Sequence, residues 1–219
     1  MDTPHITDKT GKFQYKRNHD GTAAVVQYLE FASNLRIPEN LDDLAVSSLL
    51  EYSIAHNECE IIHIPKTISR IEPAVFLSEG IKEVVVDKEN PWFRTVDGLL
   101  IEATTNSIVF FPPEFPADKL RIPEGIRAIY NYAFSGCRHL KQLILPEGLE
   151  SIGYGAFEHC GELTDLYIPS SVSYIGDWAF DNCQKLTLQV HEDVFKTIWG
   201  YFREFPDLNY ELVEEKSNF

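Results

Sequence analysis

The chain has 219 residues, with 34 acidic against 19 basic side chains and a formal charge of −15. An apolar share of 44% and a charged share of 24% are ordinary for a chain that buries a core, and they exclude wholesale disorder. The acidic balance argues against nucleic acid or an anionic membrane as the main partner, because either demands a basic face.

No apolar run approaches the ~20 residues that cross a bilayer, so no membrane insertion is expected. Met1 to Gly11 lacks the basic cluster followed by an apolar stretch that marks a secretory signal. That start gives a cytoplasmic protein, or a secreted or surface one if the N-terminus is trimmed. Taken in chain order, residues 1–12 read as a flexible start. Phe13 to Tyr28, with Asp20-Gly21 at the turn, reads as a β-hairpin inside a segment spanning 13–34. From residue 35 to 190 the chain repeats. Leu35, Ile37 and Pro38 open a first degenerate copy, with Val46, Leu49 and Ile54 at inward positions and Asn57 near the cysteine phase. Ile62, Ile64, Pro65, Ile68, Ile71, Ala74 and Phe76 form the next, followed by Ile81, Val84 and Val86. From Val86 to Ile122 the step is 36 residues in place of 23. The extra stretch, near 91–118, reads as a β-hairpin: Val96 to Ile101 and Ile108 to Pro112 flank a turn around Ala103 to Ser107.

The period is clearest in the segments beginning at Ile122, Leu145 and Ile168. Ile122/Leu145/Ile168, Pro123/Pro146/Pro169, Ile126/Leu149/Val172, Ile129/Ile152/Ile175, Phe134/Phe157/Phe180, Cys137/Cys160/Cys183 and Leu140/Leu163/Leu186 all recur at a spacing of 23. In Gln142 to Leu145 the alternation sets Leu143 and Leu145 inward, and Gln142 and Ile144 outward. Pro146 has no N–H and ends the ladder. A second short extended piece turns Leu149 and Ile152 inward, with a permissive corner at Gly153 or Gly176. Phe157 then fills the interior while Ala156 leaves room for it. No such coil buries its apolar edge alone, so coils stack into a solenoid that needs covered ends. Beyond Val190, His191 stands where proline would be. Val194, Phe195, Ile198, Trp199 and Phe202 at helical spacing predict an amphipathic helix over 192–202, within a cap spanning 191–213 and a tail at 214–219.

The cysteines are best explained as buried reduced thiols, one structural position visited three times, with Cys59 off phase. Adjacent rungs ~4.8 Å apart lie within disulfide range, but side chains pointing the same way disfavour a bridge. No cysteine pair has zinc-knuckle spacing.

The unit Leu140-x-x-Leu143-x-Leu145-Pro146-x-x-Leu149-x-x-Ile152-Gly153-x-x-Ala156-Phe157-x-x-Cys160 resembles the BspA-like leucine-rich repeat family, and the resemblance spans roughly 13–213. It implies a single repeat domain: a right-handed, mainly β coil with short turns, an N-terminal hairpin cap, a hairpin insertion and a C-terminal helical cap. It also implies a binding or adhesion role, often on bacterial surfaces.

Catalytic signatures are absent: no G-x-S-x-G elbow, no Walker loop and no H-E-x-x-H. No enzyme activity, cofactor or metal is therefore expected. His159 beside Cys160, and His56 near Cys59, are poor metal candidates, since an inward thiol has an outward neighbour. Glu147, Glu150, Glu158, Glu162 and Asp165 fall at outward positions and read as a solvated surface without calcium-loop spacing. Trp92, Phe93, Phe110 and Phe111 read as packing before they read as a substrate pocket. The recognition information lies in the outward residue between the two inward aliphatics of each long strand: Arg36, His63, Val85, Arg121, Ile144, Tyr167 and Gln189. The preceding outward residue adds Asn34, Ile61, Glu83, Lys119, Gln142, Asp165 and Thr187. Arginine and an aromatic set among aliphatics is a composition favoured at protein interfaces, although isolated exposed apolar side chains are also ordinary. The expected function is a non-enzymatic module holding a protein partner on this face, with a secreted or surface adhesin for host protein or glycan as the alternative.

Overall fold

The computed structural model describes residues 4–55, 58–198, 200–201 and 208–213. They form two compact units, residues 1–104 and 105–219. Both are mainly β, built from short strands with turns between them, and the short helix Glu192–Thr197 lies in the second. No helix among the described residues is long and apolar enough to cross a membrane.

The first unit opens with the expected hairpin. Phe13–Arg17 pairs antiparallel with Ala23–Tyr28, and the turn closes where Gly21 takes a left-handed φ of 85°. Within the segment read as a flexible start, Ile6–Thr7 pairs with Gln14 and Tyr15. Buried Asp8 fixes the bend that follows, its Oδ1 accepting the backbone N–H groups of Lys12 and Phe13 at 2.9 and 2.8 Å. Ala23–Tyr28 then runs parallel to Leu44–Leu49, and Leu44–Leu49 parallel to Arg70–Ile71. Val46, Leu49 and Ile54 are fully buried, as the repeat phase requires. On the other side of each coil, Asn34–Arg36, Ile61–Ile64 and Glu83–Val86 form a second parallel sheet.

The hairpin insertion carries the expected turn at residues 103–106, between Leu99–Glu102 and Ser107–Phe110, and a second one before it. Phe93–Val96 pairs antiparallel with Leu99–Glu102 around Asp97-Gly98, both left-handed. Buried Asn90 anchors the entry. Its amide donates to the carbonyls of Pro65 and Ile68 at 2.9 and 3.0 Å, and its Oδ1 accepts from Trp92 and Phe93. An isolated polar residue with no period gives no such warning in sequence.

In the second unit Ser107–Phe110, Ala128–Ile129, Ser151–Ile152 and Tyr174–Ile175 make one parallel ladder. On the opposite edge of the coils Lys119–Arg121 pairs in parallel with Gln142–Ile144, and Asp165–Ile168 with Thr187–His191. The Ala-Phe turns are also laddered. Tyr132, Phe134 and Gly136 donate to Tyr154, Ala156 and Glu158, and Gly155, Phe157 and His159 donate to Asp177, Ala179 and Asp181. Alternate backbone N–H groups of the turn are thus satisfied from the next coil, which is why the turn can be buried.

Side chains stack with the backbone. Phe134, Phe157 and Phe180 lie 5.1 and 5.5 Å apart between ring centroids, with ring planes nearly parallel at the last step. Phe111, read as part of the insertion, extends the column at 5.2 Å from Phe134. It stands 23 residues before Phe134, so the regular phase begins at 111. The cysteines behave as one repeated position: Cys137, Cys160 and Cys183 each direct Sγ to a phenylalanine carbonyl of the preceding coil, at 3.8, 3.1 and 3.0 Å. All four cysteines are free and buried. Desolvation first, and the Cys137 thiol next, push the Cys160 thiol well above its usual range, partly offset by its bond with Cys183. Off-phase Cys59 is raised by burial alone, partly offset by the Ala32 backbone.

At the C-terminal end the expected helix is interrupted: Glu192–Thr197 is helical, Ile198 caps it, and residues 200 and 201 are helical again. His191 caps its start, Nδ1 accepting the N–H of Asp193 at 3.2 Å, so the residue in the proline phase starts a helix in place of a turn. Val194 and Ile198 are buried, and Tyr201 meets the edge of Phe180 at 6.1 Å. Trp199, Phe202 and Pro206 lie outside the described residues, as do His56, Asn57 and the tail. Asn209–Val213 then adds a parallel strand beside Thr187–His191 that the helical periodicity concealed.

Two substitutions test this packing. Leu143→Asp places an unpaired charge at a 4% exposed position and is expected to destabilise the fold by on the order of 4 kcal/mol, whereas half-buried Ile144→Asp should leave the melting temperature within a few degrees. Gly176→Ala brings a Cβ to 2.5 Å from the Tyr154 backbone nitrogen, so the coils must part. Thermal unfolding should register a loss of about 1–3 kcal/mol.

Candidate interaction surface

The long strands fix the candidate row by register. In the first unit Arg36 pairs with His63 and His63 with Val85 on adjacent parallel strands, and Asn34, Ile61 and Glu83 line up beside them. In the second unit Arg121 is opposite Ile144 and Tyr167 opposite Gln189, which is followed by Glu211. Thr164 N–H donates to the Lys141 carbonyl at 3.1 Å, making the strands of Ile144 and Tyr167 neighbours. The structure therefore brings together Arg36, His63 and Val85 in one unit, and Arg121, Ile144, Tyr167 and Gln189 in the other.

Arg36 and Arg121 are exposed, while His63, Val85, Ile144, Tyr167 and Gln189 are half-buried. The alternation that sends Leu35, Ile62, Leu120, Leu143, Leu166 and Leu188 into the core leaves these residues on the outer face. Val86, read as inward, is half-buried, because the strand ends there and Asp87 turns the chain.

The electrostatics of the first-unit row centre on His63. Burial, and then the Arg36 charge, hold its imidazole below its usual value, partly offset by Glu83. Its Nε2 is buried without a hydrogen-bond partner. On the second-unit row, burial, with Glu147 as a lesser cause, raises the Tyr167 phenol, so it stays a neutral donor.

The other candidates fall elsewhere. Among the described residues no group of three or more His, Cys, Asp or Glu could hold a metal ion. His159 is exposed and paired with Glu158 at 3.3 Å, while Cys160 points into the core. Phe93, Phe110 and Phe111 are buried, and Trp92 is 36% exposed. Glu150 pairs with Arg127 and Glu162 with Lys185 across adjacent coils. Exposed aromatics on the turn side, Tyr154, Tyr174 and Trp178, were not singled out by the sequence reading. They occupy variable positions of the repeat.

A prediction follows for the histidine. Its folded-state pKa is depressed, so the stability tied to its neutral form is complete above 6.5 and is lost as pH falls below that value. Ring-proton titration by NMR should show His63 titrating below an ordinary histidine, moving up in Arg36→Ala and further down in Glu83→Gln.

Comparison with known proteins agrees with this architecture. Residues 110–205 match the model of the BspA type leucine rich repeat region in 6 copies. No curated protein matches the chain. Among solved structures, the pneumococcal vaccine antigen PcpA superposes with a TM-score of 0.59 at 18% identity, over 80% of this chain and 61% of that one. A leucine-rich repeat protein from Eubacterium ventriosum ATCC 27560 also gives 0.59, at 16% identity over 86% of this chain and 73% of that one. At such identities the likeness shows the fold, and the chain spans less than two thirds of the pneumococcal antigen's length. Residues 110–205 thus carry leucine-rich repeats of the BspA type, with the 23-residue period and the phenylalanine and cysteine columns as their structural counterpart.

Proposed function

We propose that the chain is a non-enzymatic interaction module that holds a protein partner on its strand-lined faces. The observation that carries this reading is the row itself: half-buried Ile144 and Tyr167 next to exposed Arg121, repeated in kind by Val85, His63 and Arg36. Rigid parallel strands hold such side chains with little loss of freedom on binding, which favours affinity. Arginine and tyrosine at the centre of an apolar patch are the residues that most often dominate a protein interface. Against a net charge of −15, the arginines mark where an acidic segment of a partner would dock.

A second reading, a secreted or surface adhesin, draws on the likeness to PcpA, a pneumococcal vaccine antigen. The same face would then meet a host protein or a glycan.

The test is capture from the source cells with immobilised protein, followed by identification of what is retained. Arg121→Ala with Tyr167→Ala should leave the melting temperature unchanged and reduce retention of the specific partner about tenfold or more. Undiminished retention would remove this face from the mechanism.

A further inference from the structure

A second surface lies on the other strands of the second unit, away from the row above. The position three residues after the inward isoleucine of each short strand is occupied by Tyr132, Gly155 and Trp178, with φ of 61°, 56° and 59°. Left-handed backbone is natural for glycine and unfavourable for a bulky side chain. Gly155 shows that the coil closes with glycine there. An aromatic ring at the same corner in the coils before and after adds strain that stacking does not require. Backbone strain of this kind concentrates where a side chain has a task.

Backbone bonds set these corners on adjacent coils, Tyr132 N–H donating to the Tyr154 carbonyl at 2.9 Å and Gly155 N–H to the Asp177 carbonyl at 3.0 Å, and we call the surface they border the aromatic ledge. Tyr154 precedes Gly155 and meets Tyr132 edge-on at 5.4 Å. Tyr174, Trp178 and Tyr154 are 58%, 47% and 38% exposed. Gly155 makes the arrangement possible: a Cβ there would lie 2.7 Å from Cε1 of Tyr132 and 3.2 Å from Oε2 of Glu158, so ring, glycine and carboxylate converge on one point. Exposed Asp177 occupies the place in its coil that Tyr154 has in the one before, and half-buried Asp181 follows. Basic side chains nearby are engaged: Arg127 pairs with Glu150, and the His159 ring contacts Glu158.

Electron-rich ring faces flanked by carboxylates select a cation. Tyrosine and tryptophan rings supply rigid contact area, and the carboxylates complement positive charge. We infer that this ledge binds a basic segment of a protein partner, with a lysine or arginine side chain laid across Tyr154 and Trp178 and paired with Asp177 and Glu158. The surface is separate from the arginine-bearing strand row, and the two would grip segments of opposite charge.

The experiment titrates the whole chain into a fluorescently labelled peptide of alternating arginine and glycine at physiological salt. A glutamate–glycine peptide and a mixture of soluble oligosaccharides serve as alternative probes. Saturable binding of the arginine peptide is expected, weakened about tenfold in Tyr154→Ala/Trp178→Gly and in Asp177→Asn/Glu158→Gln. Trp178→Gly installs the residue that the preceding coil already carries, so folding is retained and is checked by thermal melting. Arg121→Ala/Tyr167→Ala should bind the arginine peptide as the unaltered chain does, which separates this surface from the strand row. Equal affinity in the ledge variants would show only general attraction to an acidic protein and would overturn the assignment. So would an absence of saturable binding, or preference for the oligosaccharides.

Discussion

Every feature of this protein depends on equivalent residues lying directly above one another at the spacing of a parallel sheet. Strands ~4.8 Å apart bring like side chains into contact. The phenylalanine column of Phe111, Phe134, Phe157 and Phe180, with centroid separations of 5.1 to 5.5 Å, shows how closely the side chains follow the backbone. A coil has no interior of its own: Leu143 is buried because coils lie on both sides of it. The stability of such a stack is a sum of nearest-neighbour terms, so a break in register at one coil is felt chiefly by the two beside it.

The same constraint that favours apolar columns penalises charged ones, and an acidic chain must manage that penalty. It does so by placing opposite charges at equivalent positions of successive coils. Lys82 pairs with Glu60, Lys66 with Glu89, Arg127 with Glu150 and Lys185 with Glu162, each joining residues 22 or 23 apart. These pairs are exposed and individually worth little, ~0–1 kcal/mol each. Their value lies in preventing like charges from stacking.

The parts of the fold legible in sequence are those written more than once. Cys137, Cys160 and Cys183 announce their common environment because three copies at equal spacing leave no other economical explanation, and the strand alternation around Leu143 fixes inside and outside. What escaped notice occurs once or lies in variable positions. Asn90 satisfies four backbone groups yet belongs to no period. The strand Asn209–Val213 has an exposed, non-alternating pattern that reveals nothing until its partner is known. Phe111 was misplaced because the aromatic run that precedes it looks like a hairpin strand. The candidate strand row was readable because it shares the strand period. The aromatic ledge was not, since it draws Tyr154 from one column, Trp178 from a second and Tyr174 from a third.

The buried thiols give the stack a built-in reporter. Cys137, Cys160 and Cys183 occupy successive coils, each buried with its Sγ directed to a carbonyl of the coil before. A thiol in this state is inert toward alkylating reagents, because the thiolate is the reacting species. Each sulfur therefore becomes reactive only when its own coil separates from a neighbour. The order in which the three are modified would record the direction in which the column frays, turning a packing detail into a coil-by-coil clock of local opening.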